Sequence, residues 1–288
     1  MTAGPYGPLL DAVRGVRWPA ARRVAGATLG AHPSKLRGNS SEFSEFRPYR
    51  QGDDPGRVDW RLLARSDRAY VRLTTDRATL RTTILVDASA SMAFPLPTLE
   101  KWVRAREVAV GLAAVAHADS DPVGLTIAAE NPITIAPRAR RSVIVEMIRA
   151  LDGTLPRGTT ALAPLVALAR APRIVVVTDL LGDLDELMSA AKLRIAAGGE
   201  VIVVHLVAPE ELDPPHEALM AVDPERAGMR RTLDGSARSE YTRAFTTWLD
   251  DTATAFRSAR VRYFRAATDE PAARIVRRVA GEAGVRGR

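Results

Sequence analysis

The sequence predicts an α/β protein in which a doubly wound, mostly parallel sheet carries helices on both faces. Three observations support this fold class. From residue 82 onward, short Val- and Ile-rich segments alternate with helical patterns. These segments are apolar almost throughout, as in strands buried on both faces, and the intervening helices are the crossovers that parallel strands require. Asn131 and Pro132 separate two short strands by only a few residues, which predicts a hairpin and one antiparallel edge strand.

Residues 1–80 precede this alternation, and we expect them to form an extension to an α/β domain at 81–288. Residues 7–30 have the apolar spacing of one or two amphipathic helices, interrupted by Gly15 and Pro19. Residues 31–67 show no sustained periodicity, which indicates an ordered extension built of short pieces. The alternation near residue 70 predicts a half-buried strand.

The strands and helices of the α/β domain then follow in regular order. We predict strands at 82–86, 123–129, 133–136, 173–178, 201–207 and 261–264. We predict helices at 99–118, 141–151, 162–170, 183–197, 239–257 and 270–283. Residues 209–238 hold Pro, Glu and Arg with little periodicity, so we expect an insertion or a long loop there.

The amino-acid composition excludes several classes of function. The absence of cysteine excludes disulfides, thiol catalysis and Cys-ligated zinc, so a metal would have to be held by oxygen or imidazole. The net charge is +7, but 38 of the 41 basic residues are arginines that interleave with acids, and no aromatic pattern of nucleic-acid binding accompanies them. No apolar run reaches about 18 residues and no export signal is recognisable. We therefore expect a cytoplasmic protein without nucleic-acid binding or membrane insertion.

Carboxylates and hydroxyls cluster at the ends of predicted strands. The residues are Asp87, Ser89 and Ser91 after the strand at 82–86, Thr160 before the helix at 162–170, and Asp179 after the strand at 173–178. Loops at the carboxyl ends of neighbouring strands converge where open α/β sheets bind ligands. The sequence therefore predicts one divalent-cation site built from these five residues.

The choice of side chains indicates what such a site would do. Mg²⁺ prefers oxygen ligands and gives up its waters reluctantly, and Mn²⁺ and Ca²⁺ are alternatives. If hydroxyls coordinate directly while Asp87 and Asp179 act from the second shell, the cation keeps most of its positive field. It would then attract an acidic residue of a partner protein. The simpler alternative is that Asp87 and Ser89 only cap the following turn.

The three loops resemble the metal-ion-dependent adhesion site (MIDAS) of von Willebrand factor A domains. The resemblance implies that Asp87, Ser89 and Ser91 form the first loop, Thr160 the second and Asp179 the third. The second loop departs from the usual Gly-Gly-Thr-Asp-Leu, since this chain has Gly-Thr-Thr-Ala-Leu at 158–162. The hydroxyl that binds the cation could therefore be that of Thr159 in place of Thr160.

The Arg- and Asp-rich run at 42–65 resembles the signature of domain-of-unknown-function family 58. Members of this bacterial family are typically encoded beside MoxR-type AAA+ ATPases. The resemblance implies an adaptor or co-chaperone that works with such an ATPase in the maturation or assembly of other proteins. Residues 42–65 could be an internal ion-pair network or a docking surface, and we expect Trp60 to be a core anchor.

The same residues favour binding over catalysis. The four histidines lack metal-ligand or nucleophile–base spacing, and His205 is expected in the core. There is no P-loop, so any ATP would be hydrolysed by a partner. A metal-dependent phosphoryl hydrolase or transferase with Asp87 as nucleophile is the enzymatic rival, but no second carboxylate stands beside Asp87. A scaffold with a vestigial site, binding independently of metal, is the other alternative.

Overall fold

The chain forms two compact units in the computed structural model. The structure describes residues 4–20, 29–33, 43–53, 55–66, 68–74, 77–215, 219–222, 230–233 and 235–281. The larger unit comprises Met1–Trp18 and Arg81–Arg288, and the smaller unit is Pro19–Leu80. The chain before Pro19 thus belongs with the α/β unit, whereas the predicted boundary lies at residue 80.

The order of elements in the larger unit follows the predicted alternation closely. The strands of the described chain are β1 (Leu29–Pro33), β2 (Phe43–Pro48), β3 (Tyr70–Thr74), β4 (Arg77–Ala78), β5 (Thr82–Asp87), β6 (Val123–Ala128), β7 (Ile133–Arg138), β8 (Arg173–Thr178), β9 (Glu200–Val207), β10 (Leu219–Val222), β11 (Arg230–Leu233) and β12 (Arg262–Ala267). The α-helices are α1 (Gly7–Ala12), α2 (Trp60–Ser66), α3 (Glu100–Ala118), α4 (Ser142–Asp152), α5 (Leu162–Leu168), α6 (Leu184–Ala196), α7 (Pro209–Leu212), α8 (Gly235–Ser258) and α9 (Ala272–Gly281). Every strand and helix predicted from residue 82 onward is present, with ends shifted by a few residues.

The main sheet confirms the predicted fold class. Its six strands lie in the order β12-β9-β8-β5-β6-β7. All neighbouring pairs are parallel except β6 and β7, which are antiparallel, so β7 is the expected antiparallel edge strand. The chain winds outward from β5 in one direction and returns to β8, on the other side of β5, before winding the other way. The boundary between β5 and β8 is therefore the topological switch point of the sheet.

Helices cover both faces of this sheet because its strands are apolar on both sides. Ile84 and Val86 of β5 face a core shared with α3, α4 and α9. Leu85 of the same strand faces the opposite core, shared with α5, α6 and α8. Successive strand residues point to opposite faces, so a strand buried on both sides must be apolar at every position. This explains the near-continuous Val and Ile runs.

The N-terminal helix is much shorter than predicted. Helix α1 ends at Ala12, and the chain then turns through Gly15, whose φ is +79°. Residues 29–33 form strand β1, so the helix predicted over 7–30 is wrong there, while 21–28 lie outside the described residues. Trp18 is fully buried and its ring stacks 4.4 Å from the guanidinium of Arg173. The apolar spacing that suggested a long helix reflects residues that pack individually into the core.

Residues 209–238 add no strand to the main sheet, as expected of an insertion, but their described part contains regular structure and not a long loop. The described part includes α7, the start of α8, and an antiparallel ladder between β10 and β11. Each of these strands has only four residues, which is too short to show a period-2 pattern in the sequence. The residues at 216–218, 223–229 and 234 lie outside the described residues.

The smaller unit holds two short antiparallel ladders, β1 with β4 and β2 with β3. Val58 bridges to Val71, and both side chains are buried. In the 42–65 signature, Arg47 forms an ion pair with Asp53 at 2.7 Å. The expectation that Trp60 anchors a core is wrong, because 62% of its surface is exposed.

In the part of the chain that the structure describes, no helix combines the length and the apolar character needed to cross a bilayer.

Candidate functional site

The predicted site residues lie at the switch point of the sheet. Asp87 is the last residue of β5, and Thr178 is the last residue of the neighbouring β8. The two strands run parallel, so their carboxyl ends open at the same edge. A 3-10 helix at Ala90–Ala93 follows β5 and carries Ser91. Topology alone therefore brings the first and third predicted loops side by side.

Asp87 is the centre of the hydrogen-bond network. Its Oδ1 accepts from the Ser89 backbone N–H at 2.9 Å and from the Thr160 hydroxyl at 2.8 Å. Its Oδ2 accepts from the Thr178 hydroxyl at 2.8 Å. Only 3% of Asp87 is exposed. A buried carboxylate with three donors holds its neighbours in place, and the sequence analysis did not identify Thr178 as one of them.

Backbone hydrogen bonds fasten the second loop to the first. The Ala90 N–H donates to the Gly158 carbonyl at 2.9 Å, and the Arg157 N–H donates to the Ala88 carbonyl at 2.9 Å. Gly158 has a φ of +66°, and a Cβ there would lie 2.8 Å from the Glu130 carboxylate. Only glycine adopts this conformation freely, so Gly158 determines the path of the loop toward Asp87.

Three hydroxyl-bearing residues of the first two loops, Ser89, Ser91 and Thr160, form what we call the hydroxyl cluster, and the Thr160 hydroxyl and the Ser89 N–H both donate to Asp87. The Oγ atoms of Ser89 and Ser91 are 3.0 Å apart, and both residues are buried. The simpler alternative, in which Asp87 and Ser89 only cap the following turn, holds in part: Asp87 accepts the Ser89 N–H two residues on, whereas the Ser89 side chain makes no capping hydrogen bond. Of the two candidate threonines, Thr160 reaches Asp87, whereas Thr159 is exposed.

Asp179 contacts a different set of partners from the one predicted. Its Oδ2 accepts from the Lys101 ammonium at 2.9 Å, and Lys101 also donates to Glu211 of α7 at 2.6 Å. Lys101 and Asp179 are almost fully buried. The sequence analysis missed Lys101 and Glu211 because they lie far from Asp179 in the sequence, on two separate helices. The single available signal was that Lys101 is one of only three lysines.

Buried charge shapes the electrostatics of the site. Burial and, to a lesser degree, the nearby charge of Asp179 raise the pKa of Asp87, and its three hydrogen bonds oppose this shift. Burial disfavours the charged form of Lys101, but Asp179 and Glu211 outweigh that effect and raise its pKa. One ammonium thus faces the carboxylates of Asp179 and Glu211, with the carboxylate of Asp87 close by. Burial also raises the pKa of Glu211, so an additional cation nearby would stabilise the charged forms of Asp87 and Glu211.

The donor set fits a hard cation. The Thr160 hydroxyl donates its proton to Asp87 and keeps its lone pairs, as a neutral ligand oriented from the second shell does. Among the described residues, no group of three or more His, Asp or Glu has an arrangement suited to a metal ion. A cation here would therefore rely on Ser89, Ser91 and Thr160 together with water, a ligand set that Mg²⁺ tolerates.

Comparison with known protein families shows the family to which the chain belongs. The sequence profile of the family described as "Protein of unknown function DUF58" matches residues 45–248. The chain belongs to the DUF58 family. This DUF58 protein is also 28% identical over 249 residues to uncharacterized proteins of Mycobacterium bovis and Mycobacterium tuberculosis. Those matches cover 82% of this chain and 77% of each relative.

Solved structures resemble the DUF58 protein at low identity. An aerotolerance-related membrane protein from Bacteroides fragilis is 19% identical with a TM-score of 0.47, and protein BatB from Bacteroides thetaiotaomicron is 17% identical with a TM-score of 0.45. Both matches cover 71% of this chain and 98% of the other. A manganese-loaded TRAP protein from Plasmodium vivax is 12% identical with a TM-score of 0.35, over 44% of this chain and 57% of that one. At these values the likeness is one of general architecture.

Proposed function

We propose that this DUF58 protein is a non-enzymatic, divalent-cation-dependent protein-binding module. In this proposal Mg²⁺, or Mn²⁺ or Ca²⁺ in its place, is held by the hydroxyls of Ser89, Ser91 and Thr160. Asp87 and Asp179 act from the second shell, and an acidic residue of a partner protein completes the coordination.

The observation that carries the proposal is the hydroxyl cluster at the switch point of the sheet. Its members come from two loops that backbone hydrogen bonds fasten together, and Thr160 is oriented by a buried carboxylate. Neutral ligands leave the charge of a bound cation largely uncompensated. Such a cation attracts a carboxylate of a partner protein, and this contact would dock the partner at the site.

The engagement of Asp87 also favours binding over catalysis. A carboxylate nucleophile needs an oxygen free to attack, and a hydrolase of this kind needs an acid or base within reach. Both oxygens of Asp87 accept hydrogen bonds from the protein itself. The other nearby carboxylate, Asp179, is paired with Lys101. These contacts support a positioning role for both carboxylates, in keeping with a binding module.

Family membership supports a partner for this module. Because the resemblance to DUF58 implies a MoxR-type AAA+ ATPase encoded nearby, we propose that the protein is an adaptor or co-chaperone for such an ATPase. The pair would act in maturation or assembly of other proteins, and the cation site would hold an acidic residue of the ATPase or of its client.

Calorimetric titration with Mg²⁺ tests the cation site. Wild-type protein should give saturable heats that Asp87→Ala abolishes, because Thr160 and Ser89 lose the acceptor that orients them. Asp185→Ala is the matched control, since Asp185 is an exposed carboxylate on α6 and should leave the heats unchanged. Equal heats from wild type and Asp87→Ala would contradict the proposed cation site and favour a metal-independent scaffold.

A pull-down of the neighbouring ATPase tests the partnership. Association should be lost in chelator and in Ser89→Ala, and should return when Mg²⁺ is restored to the wild type. Association that ignores both the chelator and Ser89→Ala would contradict a role for the site in docking, whatever the titration showed.

A further inference from the structure

A pocket opens directly beside the hydroxyl cluster, between the start of α5 and the start of α6. We refer to it as the site pocket, and its lining residues are Asp87, Ser89, Thr160, Ala161, Leu162, Ala163, Leu180, Gly182, Asp183, Leu184, Glu186 and Leu187. The lining therefore includes three residues of the proposed cation site, Asp87, Ser89 and Thr160. It also includes residues of the first turn of α6.

The lining of the site pocket combines leucine side chains with two acidic residues of the start of α6, Asp183 and Glu186. Leu180 and Leu187 are almost fully buried, and Leu162 and Leu184 are partly buried in the same core. Asp183 and Glu186 are exposed at the opening. The Asp183 side chain accepts from the Glu186 N–H at 3.0 Å and so caps α6, while the Glu186 carboxylate points to no partner in any described hydrogen bond or ion pair. Among the lining residues none is basic.

This combination selects one kind of side chain. Lysine and arginine bury an aliphatic stem against apolar surface while their charged end stays in water or meets a carboxylate. An acidic side chain would meet the like charges of Asp183 and Glu186. A purely aliphatic side chain would use the walls of the pocket and leave its two acidic residues without a complement.

We infer that the partner's docking motif places a lysine or arginine next to the acidic residue that completes the cation site, with the basic side chain lying in the site pocket. This inference rests on the proposed function and specifies the partner it would select. Adjacent residues of an extended peptide are about 3.3 Å apart along the chain, so a basic residue within two positions of the acid can reach the pocket.

Hydrogen bonds connect the cation site to the wall of the site pocket. The Thr178 hydroxyl that donates to Asp87 also accepts from the Leu180 N–H at 3.0 Å. Leu180 has a φ of +58° and lines the pocket. A non-glycine residue in this conformation is held there by its surroundings. Asp87, which accepts from the Thr160 hydroxyl, is thus linked through Thr178 to the wall of the site pocket.

Peptide selection tests this inference with a defined probe, a phage-displayed library of random seven-residue peptides. The library is selected on the full chain in Mg²⁺ and eluted with chelator. The recovered peptides should contain Asp or Glu with Lys or Arg within two positions. Their affinity for Glu186→Lys should fall by about three- to tenfold, because a favourable rim charge becomes an unfavourable one.

Asp185→Lys is the matched control for this substitution. Asp185 lies in the same first turn of α6 and is exposed, but it does not line the site pocket. Both substitutions place a cation near the helix N-terminus and carry the same small penalty there. The control should retain wild-type affinity, and the loss in Glu186→Lys should shrink at high salt because the pair is exposed to solvent.

The outcomes separate this inference from the proposed function. Peptides that elute with chelator but show no basic preference, or that bind Glu186→Lys as well as wild type, would overturn the inference and leave the cation site standing. Recovery of no chelator-eluted peptide, or binding that survives Asp87→Ala, would overturn the proposed function and the inference with it.

Discussion

At the scale of single residues, the site depends on which hydroxyl Asp87 orients. Thr159 and Thr160 are neighbours of the same type, but only Thr160 donates to Asp87. Asp87 is almost fully buried, so its carboxylate acts on its immediate neighbours and not at the protein surface. In the proposed function, Asp87 holds the Thr160 hydroxyl with its lone pairs available to the cation.

The two threonines therefore form a matched pair for mutation. Thr160→Val keeps the shape of the side chain but removes the hydroxyl, and we expect Mg²⁺ affinity to fall by about tenfold or more, as for other changes at or beside a metal ligand. Thr159→Val should leave Mg²⁺ affinity unchanged. Titration calorimetry of both variants checks this, and the reverse order of effects would identify Thr159 as the ligand.

Lys101 provides a test of the buried charges beside the site. Replacement by alanine leaves Asp179 and Glu211 buried without their ammonium partner, so we expect a loss of about 3–5 kcal/mol in the free energy of unfolding. Lys192→Ala is the control, because Lys192 is exposed on α6 and should change stability by less than about 0.5 kcal/mol. Urea denaturation measures both, and similar small losses would mean that Lys101 is not needed to compensate these carboxylates.

His205 gives the protein a specific response to acid. Burial is the main cause that lowers the pKa of His205 from 6.5 to about 3, and its Nδ1 lies 2.7 Å from the Tyr263 hydroxyl. The folded state therefore binds fewer protons than the unfolded state, so the stability from His205 is complete above pH 6.5 and is lost as the pH falls toward 3.

The loss should approach about 1.4 kcal/mol per pH unit in the acid range. Denaturation in urea at pH 7 and at pH 5 measures it for wild type and for His205→Gln. The variant should lose less stability than wild type over this interval, and an equal loss in both would assign the acid response to other groups.

The sequence predicted part of this site and not the rest, for a physical reason. Asp87 and Asp179 could be placed because each follows an apolar strand, and parallel strands end at one edge of the sheet. Lys101 could not, because its contact with Asp179 depends on how α3 packs against the sheet. Thr178 was overlooked because a threonine at the end of a strand is ordinary in composition, and only the register of β5 and β8 gives it a role.

At the scale of elements, the strands of the sheet and the helices that cover it could be predicted because each has a recognisable pattern of apolar residues. Strands buried on both faces are continuously apolar, and their crossover helices are long enough to show a helical pattern. The error at 7–30 and the regular structure not predicted within 209–238 concern helices and strands of four to six residues. Elements so short are determined by their neighbours rather than by local periodicity.

The loop before α5 is a further element whose shape matters. Gly158→Ala puts a Cβ where φ is +66° and within 2.8 Å of the Glu130 carboxylate, and we expect a loss of about 1–2 kcal/mol together with weaker Mg²⁺ binding as Thr160 shifts. Gly182→Ala is the control in the neighbouring loop, where a Cβ would meet nothing within 4 Å. Urea denaturation and calorimetry on both variants test this, and wild-type behaviour of Gly158→Ala would show that the loop does not depend on glycine.

At the scale of the whole molecule, the two units differ in net charge and in the features that they hold. Residues 19–80 contain twelve basic and seven acidic residues, so they hold +5 of the net charge of +7. They also expose Trp60 and carry the Arg- and Asp-rich signature. The larger unit holds the sheet, the hydroxyl cluster and the site pocket. The proposed cation site and the charged signature therefore belong to separate parts of the chain.

The two chain segments of the larger unit meet at Arg173. The backbone N–H of Arg173 donates to the Arg81 carbonyl at 3.2 Å, and its guanidinium lies over the Trp18 ring and donates to the Trp18 carbonyl. Residues 18 and 81 are thus both held by one buried side chain and its backbone. The smaller unit is an insertion whose ends are anchored at one place, and insertions of this kind can be removed without disrupting the surrounding core.

Two deletions distinguish this organisation from a simple division at residue 80. Replacing residues 19–80 by a short Gly/Ser linker should leave a folded protein that binds Mg²⁺ like the full chain. Deleting residues 1–80 should cost at least about 3–5 kcal/mol, because it also removes Trp18, which is fully buried against the core. Urea denaturation and Mg²⁺ titration measure both. If the two deletions are equally stable, residues 1–18 are dispensable to the α/β unit; if neither folds, the larger unit needs the insertion.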